Sequence, residues 1–412
     1  MLDMHTLSRN QATSIIQLLD LFPVVVILGA RQVGKSTLSQ MVLPNAKMFD
    51  LERESDFLRV DSEPELLFNE VDLPIIIDEA QKSTRLFEAL RVYIDANREQ
   101  KGQFLLSGSS SAELLNNISE SLAGRCAIVE LNGFSWNEAL EKKQSDFYRL
   151  LGKPIDQILL SKTSTIQRQL LELCLFGSYP EPYLERENKL FYQEWMSAYI
   201  QLYVERDIRA LFPTLNLDAF KRFIRMISFS TGEIINYAKF SRSLDVSQPT
   251  IKRYFEIIEG TFLWRKLPSY SKNSKKRVIK MSKGHLRDTG IVNYLLNIGD
   301  VDTLKSHPQF GQIWESFIAE QIIVGLKSCL IKFEAYHYRT SNHSEIDLII
   351  EGDFGVIPIE IKASTTTNKK QLFALEAFIE EHNCEYGILV NNGFEIYSLS
   401  KKIIQVPAIF LV

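Results

Sequence analysis

The chain is poor in the features that mark secreted, membrane-embedded or fibrous proteins. It has four cysteines, Cys126, Cys174, Cys329 and Cys384, scattered with no Cys-x-x-Cys pair. That pattern excludes a disulfide framework and a cysteine zinc site, and buried reduced thiols in a cytosolic protein are expected. The longest apolar run, Leu21 to Ala30, is broken by Pro23 and is too short to span a bilayer, so no membrane partner is expected. The first residues include Asp3 and lack a basic-then-apolar leader pattern, which places the expected location in the cytoplasm. Neither sign of charge dominates, with a formal net charge of −4, so any nucleic-acid binding must come from a local patch. No internal repeat or low-complexity segment is visible. What is left is a globular composition, 45% hydrophobic and 24% charged over 412 residues, enough for roughly two to three domains.

The most informative stretch is Val24-Val25-Val26-Ile27-Leu28 followed by Gly29-Ala30-Arg31-Gln32-Val33-Gly34-Lys35-Ser36-Thr37. The β-branched run reads as a buried parallel strand. It enters GxxxxGKS, a phosphate-binding loop whose glycines let backbone N–H groups turn toward an anion at a helix N-terminus. Lys35 is expected at the β- and γ-phosphates of ATP, and the Ser36 hydroxyl at Mg²⁺. A second apolar strand, Pro74 to Ile77, ends in Asp78-Glu79. In a Walker B reading Asp78 holds the Mg²⁺ and Glu79 polarises the attacking water; the plain alternative is a helix cap.

A further strand, Gln103 to Leu106, runs into Ser107-Gly108-Ser109, where Ser107 or Ser109 would sense a γ-phosphate or merely cap a helix. Arg125 follows Gly124 and precedes a strand at Ala127 to Leu131. It reads as a finger acting in trans on a neighbouring subunit's phosphate or as a structural salt bridge. Strands alternating with helices predict an α/β fold with a parallel sheet and a ligand at the strands' carboxyl ends.

Four segments in this order, GARQVGKST, IIIDEAQ, LLSGSS and SLAGR, with Gly177-Ser178-Tyr179-Pro180-Glu181-Pro182 and Tyr203-Val204-Glu205-Arg206-Asp207-Ile208, resemble a prokaryotic group of AAA-type ATPases. In that group the ATPase core is joined to a C-terminal domain of unknown function with a restriction-endonuclease-like fold. The resemblance covers nearly the whole chain. It implies ATP binding and a homo-oligomer, a hexamer being one candidate.

Residues 1–145 are assigned to the P-loop core and 146–215 to a helical lid or linker, where Glu205, Arg206, Asp207 and Arg209 form a charge cluster at a joint or on a solvated face. Residues 216–290 read as a winged helix-turn-helix. Tyr237 to Leu244 is its second helix and Asp245-Val246-Ser247 the turn; Ile251, Tyr254, Phe255 and Ile258 form the buried face of a third. From Arg265 to Arg287 nine basic residues run uninterrupted by Asp or Glu. Such a basic hairpin grips nucleic-acid phosphates or serves as an intersubunit joint.

Residues 291–412 read helix–strand–strand–strand–helix–strand, the core order of PD-(D/E)xK nucleases. Asp347 sits mid-strand, and Glu360-Ile361-Lys362 places Glu360 and Lys362 on one face of the next. Asp347 and Glu360 would be Mg²⁺ ligands, with Glu315 on the preceding helix as a third and Lys362 beside them. A structural ion pair explains the same residues, and Ile346 stands where the motif has proline. The functional expectation is a Mg²⁺-dependent ATPase acting on DNA, with a metal-dependent nuclease domain. The alternative is a nucleotide-dependent oligomeric switch or scaffold with an inactive nuclease-like domain.

Overall fold

The computed structural model describes residues 7–109, 114, 117–118, 120–161, 167–203, 208–209, 212, 214–271, 281–340, 344–366 and 369–411. The chain divides into two compact units, Met1–Phe134 with Gly260–Phe262, and Ser135–Glu259 with Leu263–Val412. Among the described residues no helix is long and apolar enough to cross a membrane. The joint cluster Glu205, Arg206 and Asp207 lies outside the described residues.

In the first unit α1 (Asn10–Leu19), β1 (Val24–Leu28), α2 (Lys35–Val42), β2 (Lys47–Asp50), α3 (Glu54–Ser62), α4 (Pro64–Glu70), β3 (Ile75–Asp78), α5 (Thr84–Ala96), β4 (Phe104–Gly108) and β5 (Cys126–Glu130) follow in turn. The strands pair in parallel in the order β2-β3-β4-β1-β5. Every residue of β1, β3 and β4 is buried, as a sheet covered on both faces requires. Side chains alternate along a strand. Val24, Val26 and Leu28 therefore join Ile75, Ile77, Phe104 and Leu106 in one core with Leu86, Phe87 and Leu90 of α5. The α5 helix begins at Thr84, where the Ser83 hydroxyl accepts the Leu86 N–H at 3.1 Å and caps it.

The second unit contains α6 (Gln167–Phe176) and α7 (Lys189–Leu202), then α8 (Leu217–Ser228), β6 (Glu233–Ile234), α9 (Tyr237–Leu244), α10 (Gln248–Gly260), β7 (Trp264–Leu267) and β8 (Lys283–Leu286). Strands β6-β8-β7 form an antiparallel sheet. The expected face of α10 is buried, with Ile251, Tyr254, Phe255 and Ile258 all inside. Lys252 and Arg253 are exposed. After α11 (Thr289–Leu295) and α12 (Phe310–Ser328) come β9 (Phe333–Arg339), β10 (Glu345–Gly352), β11 (Gly355–Ile361), α13 (Lys369–His382), β12 (Gly387–Asn391), β13 (Tyr397–Ser398) and β14 (Ile403–Pro407). Their sheet runs β13-β14-β12-β11-β10-β9. Its β9-β10-β11 meander is antiparallel, and β12 and β14 are added in parallel. Strands β13 and β14 extend the order expected from sequence.

The basic tract is less free than its sequence suggests. Lys272, Lys275, Lys276, Arg277 and Lys280 lie outside the described residues. Each of the four that are described faces a carboxylate. Arg265 and Arg287 reach Glu320 of α12 at 2.7 and 3.0 Å, Lys266 stands 3.9 Å from Glu259, and Lys283 meets Asp347 at 3.1 Å. His285 adds a third contact to Glu320 at 3.1 Å. Burial alone would raise the Glu320 pKa, but the two guanidinium groups and the His285 contact hold it well below the ordinary carboxylate value.

Glu320 thus ties the three-stranded sheet to α12. Glu320→Ala removes the shared anion of two nearly buried arginines and is expected to cost about 3–5 kcal/mol. Urea unfolding followed by circular dichroism measures this; a loss under ~1 kcal/mol would place the charges on a solvated face instead.

Candidate functional site

The phosphate loop is shaped by two glycines with different duties. Gly34 caps α2 in the left-handed region, with φ +93°, a conformation costly for any residue with a Cβ. At Gly29 the constraint is space, since a Cβ would lie 2.3 Å from the Leu131 carbonyl oxygen. The loop is braced by Arg9, whose guanidinium donates to the Val33 carbonyl at 2.9 Å and the Gly133 carbonyl at 3.1 Å. Sequence reading passed over Arg9, because no local pattern links it to a loop two dozen residues away.

Lys35 is buried, and its ammonium group folds back onto the loop, donating to the Gly29 and Ala30 carbonyls at 3.1 and 2.9 Å. Burial pushes its pKa down, and the charges of Glu79 and Asp78 push back. The parallel register sets Asp78, at the end of β3, near the loop. The Ser36 hydroxyl donates to one Asp78 oxygen and the Ser107 hydroxyl to the other. Ser107 therefore touches Asp78, while Ser109 touches Glu79.

Glu79 is the first residue past β3 and takes a left-handed conformation, φ +52°. That is a strained choice for a glutamate, of a kind concentrated at functional sites. Its Oε2 accepts from Gln81 Nε2 at 2.5 Å and the Ser109 hydroxyl at 2.8 Å. Burial works to raise its pKa, but Lys35 and these two donors outweigh it and keep Glu79 a carboxylate. Gln81 was missed in the sequence; its one signal was its place in IIIDEAQ. Arg31 is occupied by Glu52 at 2.6 Å. Arg125, in the turn before β5, forks Asp95 of α5 at 2.8 and 2.7 Å on the exposed surface. Hard oxygens of Ser36 and Asp78, beside a buried ammonium, suit a magnesium-nucleotide pair.

A second cluster lines a cleft of about 440 Å³ in the other unit, bounded by Glu233, Lys283, Glu315, Arg339, Glu345, Asp347, Glu360 and Lys362 with neighbouring residues. Asp347 lies where the β9–β10 register shifts, between Ile346 and Ile349. One of its oxygens accepts the Ile361 N–H at 3.0 Å and faces Lys362 at 3.5 Å; the other faces Lys283 at 3.1 Å. Lys362, just past the end of β11, stands 2.8 Å from Glu360 and 3.6 Å from Glu315. The three carboxylates expected as metal ligands do converge, but on the lysine. Among the described residues no group of three or more His, Cys, Asp or Glu side chains is placed to close round one cation. The oxygen donors suit a hard divalent ion, and Glu360 Oε2 is buried with no hydrogen-bond partner among the described residues.

Burial, followed by the nearby Asp347 charge, raises Glu360 to about 8 and Glu315 to about 7. Asp347 goes down despite burial, because Lys283 and Lys362 dominate. Both lysines are raised despite their own burial by the surrounding carboxylates.

Residues 21–140 match the AAA domain family; residues 167–302 and 310–409 match two domains of unknown function, DUF8612 and DUF4143. Two uncharacterised proteins, from Mycobacterium bovis and Mycobacterium tuberculosis, are each 30% identical over 402 residues, covering 97% of this chain and 83% of theirs. An uncharacterised Haemophilus influenzae protein is 22% identical over 309 residues, covering 69% of this chain and 72% of its own. Among solved structures, the Walker-type ATPase PABY2304 of Pyrococcus abyssi superposes with a TM-score of 0.44 and 13% identity, over 71% of this chain and 99% of that one. The Thermotoga maritima RuvB Holliday junction branch migration motor superposes with a TM-score of 0.31 and 12% identity, over 66% and 95%.

The raised Glu360 pKa carries a sign. A carboxyl whose folded pKa exceeds its unfolded value of 4.5 keeps its proton in the native state after the unfolded chain has lost it. Its contribution is fully present below the unfolded value and is lost as pH rises through the folded one. In metal-free buffer the wild-type melting temperature should fall from pH 5.5 to 8.5 more steeply than that of Glu360→Gln. Parallel melting curves for the two proteins across that window would count against the assignment.

Proposed function

Because this chain belongs to an AAA-type ATPase family shared with the two mycobacterial proteins, we propose that its ATP turnover depends on Mg²⁺ and acts on DNA through the second unit. The observation that carries the ATPase part is the joining of Lys35, Ser36, Asp78 and Glu79 at the ends of parallel strands. Lys35, now bound to its own loop's carbonyls, would exchange them for β- and γ-phosphate oxygens. Ser36 and Asp78 would hold the Mg²⁺, which neutralises charge developing on the phosphates. Glu79, kept anionic, would orient the attacking water and take its proton, while Ser109 tracks the γ-phosphate through Glu79. Arg125 would reach a neighbouring subunit's phosphate in a homo-oligomer by trading away Asp95.

The DNA part rests on α8 to α10 with the β6-β8-β7 sheet, read as a winged helix over residues 216–290, and on the carboxylate cleft, read as a PD-(D/E)xK-type centre in residues 291–412. Asp347 and Glu360 would be the metal ligands there, with Glu315 in support and Lys362 at the scissile phosphate. The metal would supply a Lewis acid and an activated water. One observation favours a second reading, a nucleotide-dependent oligomeric switch or scaffold: the lysines already pair with the cleft's carboxylates.

Lys35→Ala is expected to abolish retention of ATP, and Glu79→Gln to retain ATP while turning over ~10²–10⁴-fold more slowly. A filter-binding assay with a phosphate-release assay checks both, and unchanged turnover in Glu79→Gln would remove Glu79 from the reaction. DNA should raise turnover at low salt and lose that effect as salt increases; turnover indifferent to both favours the switch. Plasmid incubated with Mg²⁺ or Mn²⁺ should be cut by the wild type and spared by Lys362→Ala. Equal cutting by the two proteins would exclude this centre.

A further inference from the structure

The cleft contains one cation more than the sequence motif foresees. Lys283 opens β8, the middle strand of the β6-β8-β7 sheet. Its ammonium group lies 3.1 Å from Asp347 Oδ1 and 3.2 Å from Glu345 Oε1. Its side chain is only 7% exposed. The opposite oxygen of Asp347 serves the Ile361 N–H and Lys362, so Oδ1 is the oxygen a metal would need. The cleft's lining carries five carboxylates against three cations. Left without Lys283, two of those carboxylates would each lose a cation about 3 Å away.

We propose that Lys283 stands in for the divalent cation at Asp347 Oδ1, and that it leaves this oxygen for a phosphodiester oxygen when nucleic acid enters, so that the cleft takes up cation and phosphodiester together. The proposal rests on reading the cleft as a metal-dependent phosphodiester site. The physical argument is compensation. An ammonium group and a divalent ion repel each other on one carboxylate oxygen, and a buried Lys283 that gives up Asp347 retains Glu345 at 3.2 Å and needs a second anion to restore its pairing. A phosphate supplies that anion. Without it the cleft stays closed on its own ion pairs. Lys283 is a positioning residue in this scheme, linking the three-stranded sheet to the cleft.

The test uses the full chain without nucleotide. Free Mn²⁺, read by its electron paramagnetic resonance signal, gives the affinity of the component that Glu360→Gln abolishes. Lys283→Met should bind Mn²⁺ more tightly than wild type, within the ~5–150-fold span of ordinary site coupling, and Lys283→Arg should keep the wild-type affinity. Lys283→Met should fold, since Asp347 retains Lys362 and Glu345 retains Arg339 at 3.9 Å; Lys283→Gln carries the same expectation if it does not. Fluorescence anisotropy of a short labelled DNA duplex should show Mn²⁺ strengthening binding to wild type, and doing so less in Lys283→Met. Unchanged or weaker Mn²⁺ binding in both neutral variants, with the Glu360-dependent component intact in wild type, overturns the role of Lys283 alone. Absence of any Glu360-dependent Mn²⁺ binding overturns the reading of the cleft and this proposal with it.

Discussion

Charge taken out of water must be met by charge or hydrogen bonds brought from elsewhere in the chain, and this requirement organises both units. Lys35 lies among its own loop's carbonyls under the influence of Glu79 and Asp78. Glu320 is met by two arginines and a histidine from the three-stranded sheet. Asp347 is met by two lysines, one just past the end of the neighbouring strand β11 and one from β8. A buried ion deprived of its partner costs several kcal/mol, so each cluster pins its contributing elements in one arrangement.

The nucleotide site depends on strand register. β3 and β1 both pair in parallel with β4, so Asp78 and the loop after Leu28 lie at the same end of the sheet, with Ser107 between them. A shift of one residue in β3 would turn Asp78 to the opposite face. Pairing on both edges of β3 fixes the register, with Ile75 to Ile77 against Phe104 to Leu106 of β4 and Ile75 to Asp78 against Lys47 to Asp50 of β2. Strand pairing within the buried sheet thus positions Asp78 and Glu79.

Much of this was legible along the chain. The loop's glycines, the acids ending an apolar strand and the heptad-like face of α10 are local patterns, and each appears as an element of the expected kind. Charge placement was less legible. The nine cations between Arg265 and Arg287 look like a free basic face when only their own segment is read. In the folded chain Arg265, Arg287 and Lys283 find their anions on α12 and β10, more than thirty residues away. The same limit hid Arg9 and Gln81, whose partners are a backbone carbonyl and a side chain placed by turns.

By itself the sequence determined the element types, the phosphate-loop chemistry and the membership of Asp347 and Glu360 in one sheet, because spacing and side-chain period act over a few residues. Only the tertiary structure decided which charges neutralise which: that Ser107 serves Asp78 while Ser109 serves Glu79, that Arg125 rests on Asp95, and that Lys283 enters the carboxylate cleft. Electrostatic partners are chosen by distance in space, and the fold, through buried apolar packing, sets those distances.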